Sequence, residues 1–247
     1  MKSFKALSAL LTYPSEELVA AIPDIRAVLA AEGRVSRRAL NALEPLLSGF
    51  ETAELYDLQE RYVLLFDRSR SLSLHLFEHV HGESRDRGQA LVDLAQLYDR
   101  HGFFIVANEL PDFLPLFLEF LSTLPQGEAV ALLGETVHIL AVLRQRLEKR
   151  ESLYAPVFAA LESLSSVRAD PRAAAEAAAS DVMPDDLAAL DKEWEEAAVT
   201  FGPGEMTDDC SLTRIKTQVR AARRSQACSP SSVKRCACRP EQTRMRS

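Results

Sequence analysis

The sequence predicts an all-α, single-domain helical bundle with a disordered C-terminal tail. Three observations carry that expectation. Apolar residues recur at helical spacing through most of the first 165 positions, the one alternating stretch has no second strand to pair with, and all four cysteines (Cys210, Cys228, Cys236, Cys238) lie in a basic segment at the end. A chain of 247 residues with 47% hydrophobic content can bury a sizeable core, so disorder of the whole chain is excluded.

Leu18, Ile22, Ile25 and Leu29 form the first apolar stripe, with Pro23 expected to kink or shorten its helix. Leu40, Leu43 and Leu47 form a second stripe, and Leu55, Leu58, Tyr62 and Phe66 a third. Leu91, Leu94 and Tyr98 continue the pattern to His101-Gly102, where a helix end favours a cation and a left-handed glycine. Val130, Leu133, Val137, Leu140, Arg144 and Leu147 repeat over five turns, followed by Tyr154, Val157, Phe158, Leu161 and Leu164. The alternation Leu72, Leu74, Leu76 resembles a strand, but a lone strand leaves its backbone groups unsatisfied, so helix or loop is expected there. Residues 170–180 suggest a linker or a solvated helix, and Leu187, Leu190 and Trp194 a last short amphipathic helix. The expected division is a helical domain over 1–165, a linker with a peripheral helix over 166–205, and a basic disordered tail over 206–247.

The net charge of −7 conceals an asymmetry. Residues 210–247 hold ten Lys/Arg against Glu241 alone, a net +9, which leaves −16 on residues 1–209. Such a body repels nucleic acid and anionic lipid and favours basic ligands, although acidity by itself also serves solubility. The most apolar run, Phe113 to Leu121, is interrupted by Pro115 and Glu119, far short of a membrane span. No export signal is read at the N-terminus, so a cytoplasmic protein without stable membrane association is expected. The cysteine spacing lacks paired C-x-x-C knuckles, and no glycine-rich phosphate cradle or G-x-S-x-G elbow is present.

Two clusters stand out. His75-Leu-Phe-Glu78-His79 matches H-x-x-E-H, in which two histidines one helical turn apart bind zinc beside a glutamate that activates water. No third ligand is marked, and a solvated or partner-binding helix face accounts for the same residues. In Glu109-Leu-Pro-Asp112-Phe-Leu-Pro-Leu-Phe-Leu-Glu119, Pro111 suits a helix start and the first acids suit its dipole. Beyond that structural role, Asp112 and Glu119 are expected on one helical face, about 10 Å apart along the axis at 1.5 Å per residue. This is too wide for paired acid/base catalysis and suited to holding two cationic groups.

The stretch from Tyr62-Val-Leu-Leu-Phe66-Asp67 through His75, Glu78, His79, His81 and Glu83 to Gln89 resembles the nitrate reductase assembly chaperone family, NarJ. Glu109-Leu-Pro-Asp112-Phe-Leu-Pro resembles that family's version of the E-x-x-D motif of the wider TorD/DmsD group of molybdoenzyme chaperones. Leu10-Leu-Thr-Tyr13-Pro14 and Trp194 to Gly202 also fit, so the resemblance covers about residues 1–205 and excludes the tail.

The resemblance implies a helical bundle of the molybdoenzyme-chaperone type with no catalytic residues, metal or cofactor of its own. Such a protein binds the N-terminal segment of the nitrate reductase catalytic (alpha) subunit, permits molybdenum cofactor insertion, delays membrane docking and is absent from the finished enzyme. Capture of an apolar, basic peptide in a groove is expected, with Tyr62, Phe66 and Phe77 as walls. Asp67, Glu78, Glu83, Glu109, Asp112 and Glu119 are the expected charges. A zinc-dependent hydrolase built on H-x-x-E-H is the alternative.

Overall fold

A computed structural model of the chain describes residues 1–68, 70–81, 84–106 and 109–179. The expected helix at Leu187–Trp194, the tail and Glu83 lie outside these residues. Ten α-helices follow one another among those described: α1 (Lys2–Leu10), α2 (Glu16–Glu32), α3 (Arg37–Thr52), α4 (Leu55–Tyr62), α5 (Glu78–His81), α6 (Arg85–Arg100), α7 (Leu114–Thr123), α8 (Gln126–Lys149), α9 (Ala155–Leu164) and α10 (Pro171–Ala179). A π-helical turn, Val63–Asp67, continues α4, and a 3-10 turn spans Arg70–Leu72.

The helix ends follow from their residues. Ser15 and Ser36 accept the backbone N–H of Leu18 and Ala39, both at 3.2 Å, and so satisfy donors that the first turns of α2 and α3 would leave orphaned. Gly33 closes α2 at φ +63°. After α6, Gly102 at φ +70° lets the Phe103 N–H reach back to the Tyr98 carbonyl at 3.0 Å, the ending read from His101-Gly102. Pro23 does not shorten α2, because it stands on the solvent face while Ile22 and Ile25 on either side enter the core.

The helix that spacing did not single out is central. Helix α1 packs on α2, α7 and α9, and its Phe4, Leu7 and Leu10 are fully buried. Each such side chain contributes about 1.5–3 kcal/mol by leaving water. Its polar groups are tied in as well, since Ser8 Oγ donates to the Pro115 carbonyl at 2.6 Å and the N-terminal ammonium to the Ser122 carbonyl at 3.0 Å. On the other side of the bundle, α8 packs against α7, α9 and α10. It has the length and composition of a membrane span, yet half of its apolar window is buried inside the molecule, where Leu133, Leu140 and Leu147 belong to the core.

Residues 170–180, expected as linker or solvated helix, contain α10, which lies along α8 with Ala174 and Ala178 buried. Arg146 and Lys149 donate to the carbonyls of Ala177 and Ala178, each at 3.1 Å, and so take up acceptors at the end of α10. Arg146 also donates to the Ser71 carbonyl at 2.6 Å, which fastens the 3-10 turn to α8. The apolar alternation Leu72–Leu76 is helix and loop as expected, Leu72 ending the 3-10 turn and Leu74, His75 and Leu76 following in a loop whose leucines are buried, yet the loop finds a backbone partner. An isolated antiparallel bridge joins His75 to Phe113, with Leu76 N–H donating to Asp112 O at 3.0 Å and Leu114 N–H to Leu74 O at 2.8 Å.

Candidate functional site

That bridge brings the two sequence clusters together. The Asp112 side chain is fully buried; its Oδ2 accepts the Phe77 N–H at 3.0 Å and its Oδ1 lies 3.2 Å from His75 Nδ1. The Asp112 contact holds the His75 imidazole above its ordinary pKa, with burial opposing, and the ring lies against Phe113 at a centroid distance of 5.4 Å. Tyr98 completes the clasp, its hydroxyl donating to the Pro111 carbonyl at 2.6 Å.

This geometry corrects two expectations. Helix α7 begins at Leu114, so Asp112 lies before it and does not share a helical face with Glu119. The backbone at 112–114 is committed to the bridge with 74–76, which delays the helix past the expected start at Pro111. Glu119 lies on α7, where it pairs with Lys5 of α1. Likewise His75 precedes α5, which starts at Glu78, so the H-x-x-E-H residues do not form one helical face. His79 Nε2 donates to the Ser73 carbonyl at 2.7 Å, and burial holds its pKa below the ordinary value. Both histidines are therefore engaged in tying loops together, and no three His, Cys, Asp or Glu among the described residues are grouped to hold a metal.

The expected aromatic walls are core residues. Tyr62 donates its hydroxyl to the Leu11 carbonyl at 3.0 Å and lies in a ladder of rings: 5.6 Å from Tyr13, 5.0 Å from Phe66, which in turn is 5.1 Å from Tyr154. Phe77 is buried beneath His81. Burial pushes the Tyr62 phenol well above its usual range, and the Asp67 and Glu109 carboxylates add to the shift, so both acids lie within electrostatic reach of one ring. Both are exposed residues, and partial burial of its carboxyl raises Asp67 while nearby His75 opposes. Glu78 is half-buried and paired with Arg87 at 3.0 Å.

Sequence reasoning missed the exposed apolar surface. Between α6 and α7, Phe104 is 68% and Val106 96% exposed, and Leu110 is also exposed beside Glu109. Elsewhere, a cavity of about 610 Å³ is lined by Asp57, Glu60, Arg61, Leu64 and Leu65 on one wall and by residues 150–153 on the other. Both places touch the motif stretches, at Glu109-Leu110 and at Leu64-Leu65, but nothing in those residues marks them as exposed. The signal available for the first was a run of apolar residues, Phe103-Phe-Ile-Val106, directly after a helix-ending glycine.

Residues 32–160 match the family model described as nitrate reductase delta subunit. The chain is 43% identical over 207 residues to the nitrate reductase molybdenum cofactor assembly chaperone NarJ of Escherichia coli K12, covering 84% of this chain and 88% of that one. It is 39% identical over 201 residues to the probable chaperone of the same description, NarW, from that strain, covering 81% and 84%. The Bacillus subtilis protein described as a probable NarJ is 37% identical over 169 residues, 66% of this chain and 89% of its own. With the helical architecture, the clasp between the two motif stretches and identity along nearly the full length of these relatives, the chain belongs to the NarJ family, which is a family of assembly chaperones and not of enzymes.

Proposed function

We propose that this protein is a cytoplasmic assembly chaperone for a nitrate reductase, that it binds the N-terminal segment of the catalytic subunit, and that it keeps this subunit open to molybdenum cofactor insertion and away from the membrane until insertion is complete. It binds no cofactor itself and leaves the finished enzyme. The family membership supports the chaperone role, and one structural observation supports the peptide: Phe104, Val106 and Leu110 are exposed, and Glu109 beside Leu110 lies, like Asp67, within electrostatic reach of Tyr62.

An apolar, basic peptide would bury its anchors on Phe104, Val106 and Leu110 while its cations meet Glu109 and Asp67. Tyr62, Phe66 and Phe77 are core residues and offer no exposed wall to the peptide. Asp112 fixes the loop's far end and its carboxylate is already occupied, whereas Glu119 would join only by exchanging Lys5 for a cation of the peptide. The acidic body raises the encounter rate with such a ligand and makes binding weaken with salt.

Calorimetric titration of the whole chain with a synthetic peptide of the partner's N-terminal segment tests this at low salt. Phe104→Ala and Glu109→Gln should each weaken binding with melting temperature unchanged. Unaltered affinity in both and in the double variant would remove this loop from the binding surface.

A further inference from the structure

The groove between the end of α4 and the turn after α8 has no place in the reading above. Its floor is apolar yet open: Leu64 is 41% and Leu153 37% exposed, with Leu65 half-buried between them. The wall bearing Leu64 and Leu65 is the π-helical turn Val63–Asp67, a geometry less favourable than the α-helix it continues. That turn keeps Phe66 in the core and leaves Val63 and Leu64 facing water.

The chain leaves the described structure beside this groove. Helix α10 ends at Ala179, and the Ala178 carbonyl is held by Lys149, one residue before Arg150, which lines the cavity. The next apolar residues in the sequence that recur at spacings of three and four are Leu187, Leu190 and Trp194. Leu187 is eight positions beyond Ala179, a reach of up to about 26 Å at ~3.3 Å per residue.

We propose that this groove is the seat of the chain's own segment Leu187–Trp194, with Leu187, Leu190 and Trp194 covering Leu64, Leu65 and Leu153. The basic tail beyond residue 210 suits the groove less well. It complements Asp57, Glu60 and Glu151 in charge, but it has no apolar repeat to cover the leucines and begins some thirty residues past the end of α10. In the segment, Lys192 can meet those carboxylates while Asp191, with Glu195 just past the segment's end, meets Arg61 and Arg150. The seat does not depend on where a partner peptide binds.

Trp194 is the single tryptophan, so the emission of the full chain reports this segment alone. The unaltered protein should show blue-shifted emission, poorly quenched by acrylamide. Leu64→Glu and Leu153→Glu should each lower the docked-to-undocked ratio about tenfold or more, since each removes a buried leucine contact. Emission then shifts to the red and quenching rises, while Val92→Glu, at an exposed apolar position on α6 outside the groove, changes neither. An exposed indole in the unaltered chain, or unshifted emission in both groove variants, overturns the proposal. A blue shift that appears only as protein concentration rises also overturns it, because the occupant is then a second copy. Should the groove variants melt early, Trp194→Glu leaves the described helices untouched, and hydrogen exchange of residues 57–65 and 150–153 must then quicken severalfold; no change there overturns the seat.

Discussion

The clasp around Asp112 and the groove around Leu64 are opposite kinds of surface. In the clasp, a buried carboxylate has its acceptors filled by the Phe77 N–H and His75, and the aromatic rings nearby are packed. In the groove, a π-helical turn leaves leucines exposed, and nothing in the sequence tells them from core leucines. The residues most conspicuous as chemistry in the sequence hold the fold together, and the surfaces free to receive a ligand consist of ordinary leucines, valines and phenylalanines. Conspicuous polar residues in an apolar context are conspicuous because burial demands a partner for them, and here the partners are within the chain.

The sharpest way to break this contrast is Asp112→Ala. It strands the buried Phe77 N–H, at about 1–3 kcal/mol, and takes the acid partner from the part-exposed His75 ring, so urea unfolding should show a loss of about 2 kcal/mol. A loss below about 0.5 kcal/mol, the range of ordinary surface changes, would mean that the clasp is no more than surface.

The pH dependence of stability sharpens the same point. His75 has a folded pKa above its unfolded value of about 6.5, so its contribution is full below that value and is lost as pH rises through the folded pKa. Thermal melts of the unaltered chain should fall over that window, and His75→Gln should flatten the fall. His79 has the reverse sense: its folded pKa is lowered, so its contribution is present above about 6.5 and is lost as the pH falls through the folded value. His79→Gln should therefore diminish acid sensitivity.

On the exposed side, Val106→Ser should change the unfolding free energy by less than about 0.5 kcal/mol, since the side chain is open to water in the folded protein. The exposed Lys5–Glu119 pair links α1 to α7, and Glu119→Gln should cost about 0–1 kcal/mol, diminishing with salt. Ending the chain after Glu205 removes only the basic tail, and the melting temperature and helicity should stay as they are. A large fall in either would give the tail a packing role.

Much of the bundle was legible before any coordinates. The stripe Leu18–Leu29 became α2, the repeat Val130–Leu147 became α8, and His101-Gly102 ended α6, because each rests on interactions within a few residues of the chain. Helix α1 was passed over although Phe4, Leu7 and Leu10 recur every three residues, because nine residues give a stripe of only three large side chains, and what makes it central is its packing on α2, α7 and α9. Of the expected site, Asp67 and Glu109 are exposed as a binding role requires, while Asp112 and the aromatics Tyr62, Phe66 and Phe77 are buried.

What the sequence determined by itself was therefore the helical class, the main helix stops and the resemblance that the comparisons bear out, all properties of local spacing and of residue identity. Tertiary structure alone decided that residues 74–76 would pair with 112–114, a contact across nearly forty positions. That pairing fixed the start of α7, buried Asp112, separated it from Glu119 and turned two histidines of a zinc-like motif into ties between loops. The physical reason is that a buried backbone or carboxylate must find its hydrogen-bond partner wherever the chain brings one, and sequence spacing does not show which distant segment will supply it.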